Sequence, residues 1–384
     1  MPADDEMMFE GATAGRLKAP RAAVGDTLRL MRERRGLQVK QVAELLGRSS
    51  GYVSKAERGG TTVSGVTLDK YATVLDVPPA LLCHVISEQP PEGIHFRAQT
   101  VPQSRRHRVI AEANFIAWLL NRMMTQARVE LDFPLTLPAY DTDLMDGGAA
   151  EAAQLLRRRW RIRGPVRDIA GLLEQAGVFV LPMPPQVTGI DAVTVRTNGP
   201  VTAVILLSDD VPEDRKRHSL AHELAHLVLD DATMSRSIRD DEDRADAFAG
   251  EFLAPYEELR PTVSNIVPAQ LEELEELRAL WGVSVPALIR RAFINQDLSE
   301  SQYRYWFRVL NARNMVRARR SSSYPVRPRA AGEFLTALRE SGYSANDIAE
   351  ITDTGLGEMQ EIFGEAWPFV SLRPRLRVVA SAGL

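Results

Sequence analysis

The chain has 384 residues, 45% of them hydrophobic and 26% charged, with a formal net charge of −4; that is enough apolar material for the cores of two to three domains. Its one cysteine, Cys83, excludes an internal disulfide framework and any cysteine-built zinc site. No apolar run approaches the ~18 residues that cross a bilayer, and the acidic start from Met1 to Glu10 lacks the basic and apolar regions of a signal peptide, so a cytoplasmic chain with no membrane partner is expected.

Charge is segregated along the sequence. Residues 24–82 carry nine Lys/Arg against six Asp/Glu, residues 301–332 carry eight Arg and no acid, and residues 209–258 carry fifteen acids against six bases. This suggests basic surfaces for phosphates and an acidic surround in the middle of the chain. Residues 1–23 read as a flexible tail. A first amphipathic helix, Val24 to Arg35, places Leu28 and Met31 inward and Arg29, Arg32 and Arg34 outward, and stops at Gly36. A second, Val39 to Leu46, ends at Gly47, and a third starts at the capping residues Ser49 or Ser50 and runs to Gly59-Gly60. Helices over Leu68–Leu75 and Pro78–Leu82 would complete a five-helix domain over residues 24–88.

The run Val42-Ala43-x-x-Leu46-Gly47-x-Ser49-x-x-Tyr52-Val53-Ser54-x-x-Glu57-x-Gly59 resembles the lambda-repressor/Cro type of helix-turn-helix. The resemblance implies that the third helix enters the major groove of double-stranded DNA. By position, Ser50, Gly51, Tyr52 and Lys55 would face base edges or phosphates, with Ser49, Ser54 and Arg58 near the backbone. Val39 departs from the pattern, standing where such domains often carry a glutamine that braces the groove contact. Modules of this type read paired half-sites, which implies a homodimer.

Residues 89–148 read as a Pro-rich linker, a basic patch Arg105-Arg106-His107-Arg108 and a long helix from about His107 to Ala127. Its stripe of Ile110, Phe115, Trp118, Leu119 and Met123 suits bundle packing or a dimer contact. After a loop from Asp132 to Gly148, helices are expected over Ala149–Trp160 and Val166–Gln175, then a strand over Val178–Met183. A further strand, Ala192–Val195, would pair with Ala203–Leu207 by way of Asn198-Gly199 as a hairpin turn. The order of elements predicts an α+β, mostly helical fold.

The pentad His222-Glu223-Leu224-Ala225-His226 follows within an apolar, Ala-rich helix. Positions i and i+4 share a helix face, so the two imidazoles project together and can hold one metal ion, while Glu223 reaches a water at its open position. Zinc lowers the pKa of such a water from near 15.7 to roughly 7, and Glu223 is placed as general base. Sixteen residues on, Glu242 and Asp246 also stand four apart. One carboxylate can ligate while the other orients an imidazole through its second ring nitrogen. His218, one turn before His222, can stabilise an oxyanion or simply pack.

Arg217-His218-Ser219-Leu220-Ala221-His222-Glu223-Leu224-Ala225-His226, then Glu242-x-x-Ala245-Asp246-x-Phe248-Ala249-x-Glu251-Phe252-Leu253-x-Pro255, resembles the ImmA/IrrE family of bacterial metallopeptidases; the likeness reaches back through Leu172–Val180, Gly189-Ile190-Asp191 and Val201–Leu207. It implies a zincin-like domain with a small β-sheet over residues 149–256, zinc held by His222, His226 and Glu242, Glu223 as catalytic base, and a repressor or antitoxin as protein substrate. Asp246 as the residue behind the ligands follows from spacing alone.

Beyond Pro255, helices are expected over Ala269–Trp281, Ser284–Asn295 and Ser299–Met315. Leu280–Leu288 resembles the small helical module that often trails this peptidase, here residues 257–315. Residues 316–384 combine a basic linker, around Arg313–Arg329, with a last helical pair, Ala331–Ser341 and Ser344–Phe363, whose partner the sequence does not name. No internal repeat of useful strength is visible. Two functions fit: a DNA-binding regulator whose zinc centre cleaves a partner protein or itself, or a transcription factor whose zinc centre is a non-catalytic sensor or partner-binding module.

Overall fold

The computed structural model describes residues 22–89, 101–129, 131–185, 187–229, 238–315 and 323–369. Helix α1 (Gly25–Arg34), α2 (Val39–Leu46), α3 (Ser50–Glu57) and α4 (Gly65–Leu75) form the N-terminal unit. The fifth expected helix is one 3-10 turn, Leu81–Cys83. Helix α2 begins with a capping box between Gln38 and Gln41 and ends at Gly47, whose φ of 64° closes the tight turn into α3. Ser49 caps α3 by accepting the Tyr52 N–H at 3.2 Å.

Two of the three arginines expected to point outward do not. Arg32 is buried and donates twice to Glu57, Nε to Oε1 at 2.6 Å and Nη2 to Oε2 at 2.9 Å, tying α1 to α3. Arg34 is buried too, donating to both Glu112 oxygens at 2.9 and 3.0 Å and to Glu358. Helical periodicity marks a side chain's direction; it says nothing of whether an acid waits there. The approach of α1 to α3 is close enough that a Cβ on Gly25 would lie 2.6 Å from the Glu57 carbonyl oxygen.

Helix α5 (Gln103–Ala127), four residues longer at its start than expected, runs about 37 Å. Phe115, Leu119 and Met123 of its stripe are completely buried within the chain, and Ile110 and Trp118 are half-buried. Helices α6 (Gly148–Arg159) and α7 (Ile169–Gln175) lead into the sheet β1 (Val178–Pro182), β2 (Ala192–Arg196) and β3 (Ala203–Leu207). Strand order is β1-β3-β2, with β1 parallel and β2 antiparallel to β3. The Asn198-Gly199 pair does not make a two-residue turn. Thr197 N–H bonds to Thr202 O at 3.0 Å around a longer loop, neither residue takes a positive φ, and Asn121 Oδ1 accepts the Val201 N–H at 2.9 Å. A side chain of α5 therefore shapes this loop in place of hairpin geometry.

Both faces of the sheet are covered. Phe179, Leu181, Val193, Val195, Val204 and Leu206 join one apolar cluster with α5 and the N-terminal unit, while Val178, Val180, Ala192, Ala203, Ile205 and Leu207 join a second with the following helices. The unbroken apolar run of β3 is the signature of such two-sided burial. On the second side lie α8 (Glu213–Val228) and α9 (Ile238–Leu253); Ala221, Ala225, Ala245 and Ala249 are fully buried, small enough to let the helices approach.

Helix α10 (Tyr256–Val263), with Pro261 inside it, was not among the expected helices. Helices α11 (Leu271–Trp281), α12 (Val285–Ile294) and α13 (Glu300–Ala312) follow. Arg291 of α12 reaches Gly250 O at 2.7 Å, Ala254 O and the Glu251 carboxylate, bolting this module to α9. The expected last helix Ser344–Phe363 is two, α15 (Ala345–Thr352) and α16 (Leu356–Phe363), after α14 (Ala330–Glu340). Asp353, with a φ of 50°, breaks the run. The basic stretch 316–322 lies outside the described residues.

Glu57→Ala removes two hydrogen bonds of the Arg32 guanidinium, leaving it the Glu33 carboxylate and the Leu37 carbonyl, and should cost about 1.5–3 kcal/mol locally. Native-state hydrogen exchange should speed up in α1 and α3 while α8 keeps its protection; unchanged exchange in α1 would show that the ion pair does not hold the unit together.

Candidate metal centre and nucleic-acid interface

The pentad of helix α8 sends three ionisable side chains into the interior: His222, Glu223 and His226 are 2%, 2% and 5% exposed. Each meets a partner from another element. His222 Nδ1 lies 3.0 Å from Asp246 Oδ1, which turns Nε2 toward the His226 Nε2, 3.1 Å away. Glu242 faces both, with Oε2 at 3.2 Å from His222 Nε2 and Oε1 at 3.7 Å from His226 Nε2. Two residues the sequence reading passed over complete the surround from β2. Thr194 donates from Oγ1 to Glu223 Oε2 at 2.6 Å, and Arg196 Nη2 donates to the His226 carbonyl at 2.8 Å, steadying the end of α8.

Among the described residues, His222, His226 and Glu242 offer ligand atoms that all lie within 4.8 Å of one another. Ligands at about 2.1 Å from a tetrahedral ion sit about 3.4 Å apart; the two imidazole nitrogens stand 3.1 Å apart, and the Glu242 carboxylate straddles them with Oε2 at 3.2 Å from one and Oε1 at 3.7 Å from the other. Two imidazoles and one carboxylate suit a divalent ion of the zinc class, so the residues fit one. Asp246 sits behind His222, on the nitrogen that faces away from Glu242 and His226. His218 is half-buried, its ring centroid 6.5 Å from that of His222, and it is not part of the ligand group.

The DNA-facing candidates line one surface of α3. Ser49, Ser50, Gly51, Lys55 and Arg58 are exposed, while Tyr52 and Ser54 are half-buried. Arg58 Nε donates to Ser54 O at 3.0 Å, and the Arg48 guanidinium lies over the Tyr52 ring at 5.3 Å. Arg48 went unremarked in the sequence, although an arginine four residues before a tyrosine is the available signal. Val39 is half-buried at the start of α2 and offers no side-chain hydrogen bond there.

Burial alone would lower the His222 pKa, but hydrogen bonds to Asp246 and Glu242 and the charges of Glu223 and Asp246 outweigh it and push it up to about 9. The protonated ring adds stability that is complete below its unfolded value near 6.5 and disappears as pH rises through about 9. A divalent ion must displace that proton. Zinc affinity, measured by competition with a chelating dye between pH 7 and 8, should rise about tenfold; a pH-independent affinity would remove His222 from the ligand set.

Residues 173–293 match the family model described as the IrrE N-terminal-like domain, named for a peptidase family, and residues 23–85 match the model of a helix-turn-helix domain. No curated protein and no solved structure matches the chain. No helix among the described residues is long and apolar enough to cross a membrane. The candidate metal centre and its supporting sheet lie within the first match and the α1–α4 unit within the second, so the chain carries one region similar to a helix-turn-helix domain and another similar to the IrrE N-terminal-like domain.

Proposed function

We propose that the chain is a cytoplasmic DNA-binding regulator whose zinc centre hydrolyses a peptide bond in a repressor or antitoxin partner, or in the chain itself. The observation that supports this most is the placement of Glu223. A site that only ligates has no need of a buried carboxylate beside its histidines, yet Glu223 is buried there and hydrogen-bonded to Thr194. When bound, zinc activates a water and polarises the scissile carbonyl. Glu223 accepts the proton that the water gives up and returns it to the leaving amine nitrogen. Thr194 holds one oxygen of that carboxylate and so limits the directions from which it receives a proton. Asp246 keeps the His222 ring oriented through Nδ1, His226 and Glu242 complete the ligand set, and His218, one turn before His222, either packs or stabilises an oxyanion. Ser50, Gly51, Tyr52 and Lys55 face base edges or phosphates and Ser49, Ser54 and Arg58 lie near the DNA backbone, in a homodimer that spans two half-sites.

The deep burial of the centre favours a second reading, a metal-dependent sensor that never cleaves. Glu223→Gln separates the two. The variant should keep stoichiometric zinc and full DNA affinity, while cleavage of candidate repressors and antitoxins encoded beside the gene is lost together with the regulatory output. An unchanged output would retire the enzyme in favour of the sensor.

DNA binding is tested on α3. Lys55→Ala with Arg58→Ala should weaken operator binding by about 1–3 kcal/mol per lost specific contact and flatten the salt dependence. Equal affinity and slope in fluorescence anisotropy would move the interface elsewhere.

A further inference from the structure

The last three helices repeat the first three at a constant offset of 306 residues. α2 spans eight residues, Gly47 follows in the left-handed region, Arg48 comes next, Ser49 is the N-cap, and α3 spans eight residues. α15 spans eight residues, Asp353 takes a φ of 50°, Thr354 comes next, Gly355 is the N-cap, and α16 spans eight residues. Earlier in each unit Gly36 and Gly342 both have positive φ, between α1 and α2 and between α14 and α15. Backbone bonds coincide in the same register: Leu37 N–H to Arg32 O and Tyr343 N–H to Leu338 O, Arg48 N–H to Ala43 O and Thr354 N–H to Ala349 O. So do buried positions, with Val42, Leu46, Val53 and Ala56 answered by Ile348, Thr352, Met359 and Ile362. Over residues 25–57 and 331–363 only Gly36/Gly342, Ala43/Ala349, Glu44/Glu350 and Gly51/Gly357 are identical, so the repeat exists in backbone and core and not in letters. The second copy lies beyond both regions matched by family models.

The outer face is where the copies part. Where α3 presents Ser50, Gly51, Tyr52, Lys55 and Arg58, α16 presents Leu356, Gly357, Glu358, Glu361 and Gly364. Residues 330–369 hold eight Asp/Glu and one arginine, a balance that repels phosphate. Glu358 occupies the place of Tyr52 and turns to the first unit: its Oε1 accepts from Arg34 and, at 3.2 Å, from Arg35, both at the end of α1. In the turn, Asp353 Oδ2 lies 2.7 Å from His84 Nε2, and Arg122 of α5 donates to Ile351 O at 2.6 Å.

We propose that residues 330–363 are a second helix-turn-helix unit that grips protein in place of DNA, its α16 clamping the end of α1 through Glu358 and so holding the DNA-binding unit against α5. The grip reaches the recognition helix, since α1 carries Arg32 on to Glu57 of α3.

Glu358→Lys tests the clamp in the full-length, zinc-loaded chain. Amides of residues 30–37 and 345–363 should exchange at least tenfold faster while α8 amides and zinc content stay as in the parent. Should the lysine variant not fold, Glu358→Gln gives the same pattern at smaller amplitude. Exchange unchanged in both stretches of the folded variant overturns the clamp. Glu361→Lys tests the choice of partner: affinity for operator DNA and its salt slope should stay within twofold of the parent. Markedly tighter binding with a steeper slope would place α16 on DNA and overturn the assignment.

Discussion

Burying His222, Glu223 and His226 on one helix is the constraint around which this molecule is organised. Ionisable groups in a dry interior are costly unless each is matched, and a single helix cannot match its own. Glu242 and Asp246 come from α9, Thr194 and Arg196 from β2. The centre therefore requires α8 to lie between a sheet and a second helix at contact distance, and the alanines of α8 and α9 allow it. Arg291, reaching back from α12 to Glu251 and the backbone of α9, keeps α9 in place from outside.

That sheet is shared property. One face carries the residues that steady α8, the other packs on α5, and α5 in turn carries Glu112, which pairs with Arg34 of the helix-turn-helix unit. One buried helix thus stands between two functional units, touching α1 on one side and the strand of Thr194 on the other. The C-terminal helices close the arrangement by contacting both α1 and α5.

How much of this could be read in the letters depends on how far apart in the chain the cooperating groups lie. The pairing of His222 with His226 was legible because helical spacing alone brings them together, and Gly47 with Ser49 announced the first tight turn by residue type. Thr194 was hidden, since only sheet register carries it to Glu223, 29 residues away in sequence. Arg32 and Arg34 were misjudged because their acids, Glu57, Glu112 and Glu358, are distant. Asp353-Thr354-Gly355 breaks the last helix at a turn signal that the apolar spacing on either side overshadows. The second unit stayed invisible because backbone geometry tolerates nearly any side chain that keeps the interior filled.

The alternation of β2 makes the metal centre unusually sensitive to strand length. Thr194 and Arg196 share a face, with Val193 and Val195 on the other. A single-residue insertion or deletion upstream within β2 would exchange the faces, setting a valine against Glu223 and a hydroxyl against the apolar surface of α5. One indel would injure both cores at once, whereas the loop 197–202 can absorb changes in length at its outer end. Divergence among chains of this design should therefore accumulate as loop variation around a strand of invariant phase.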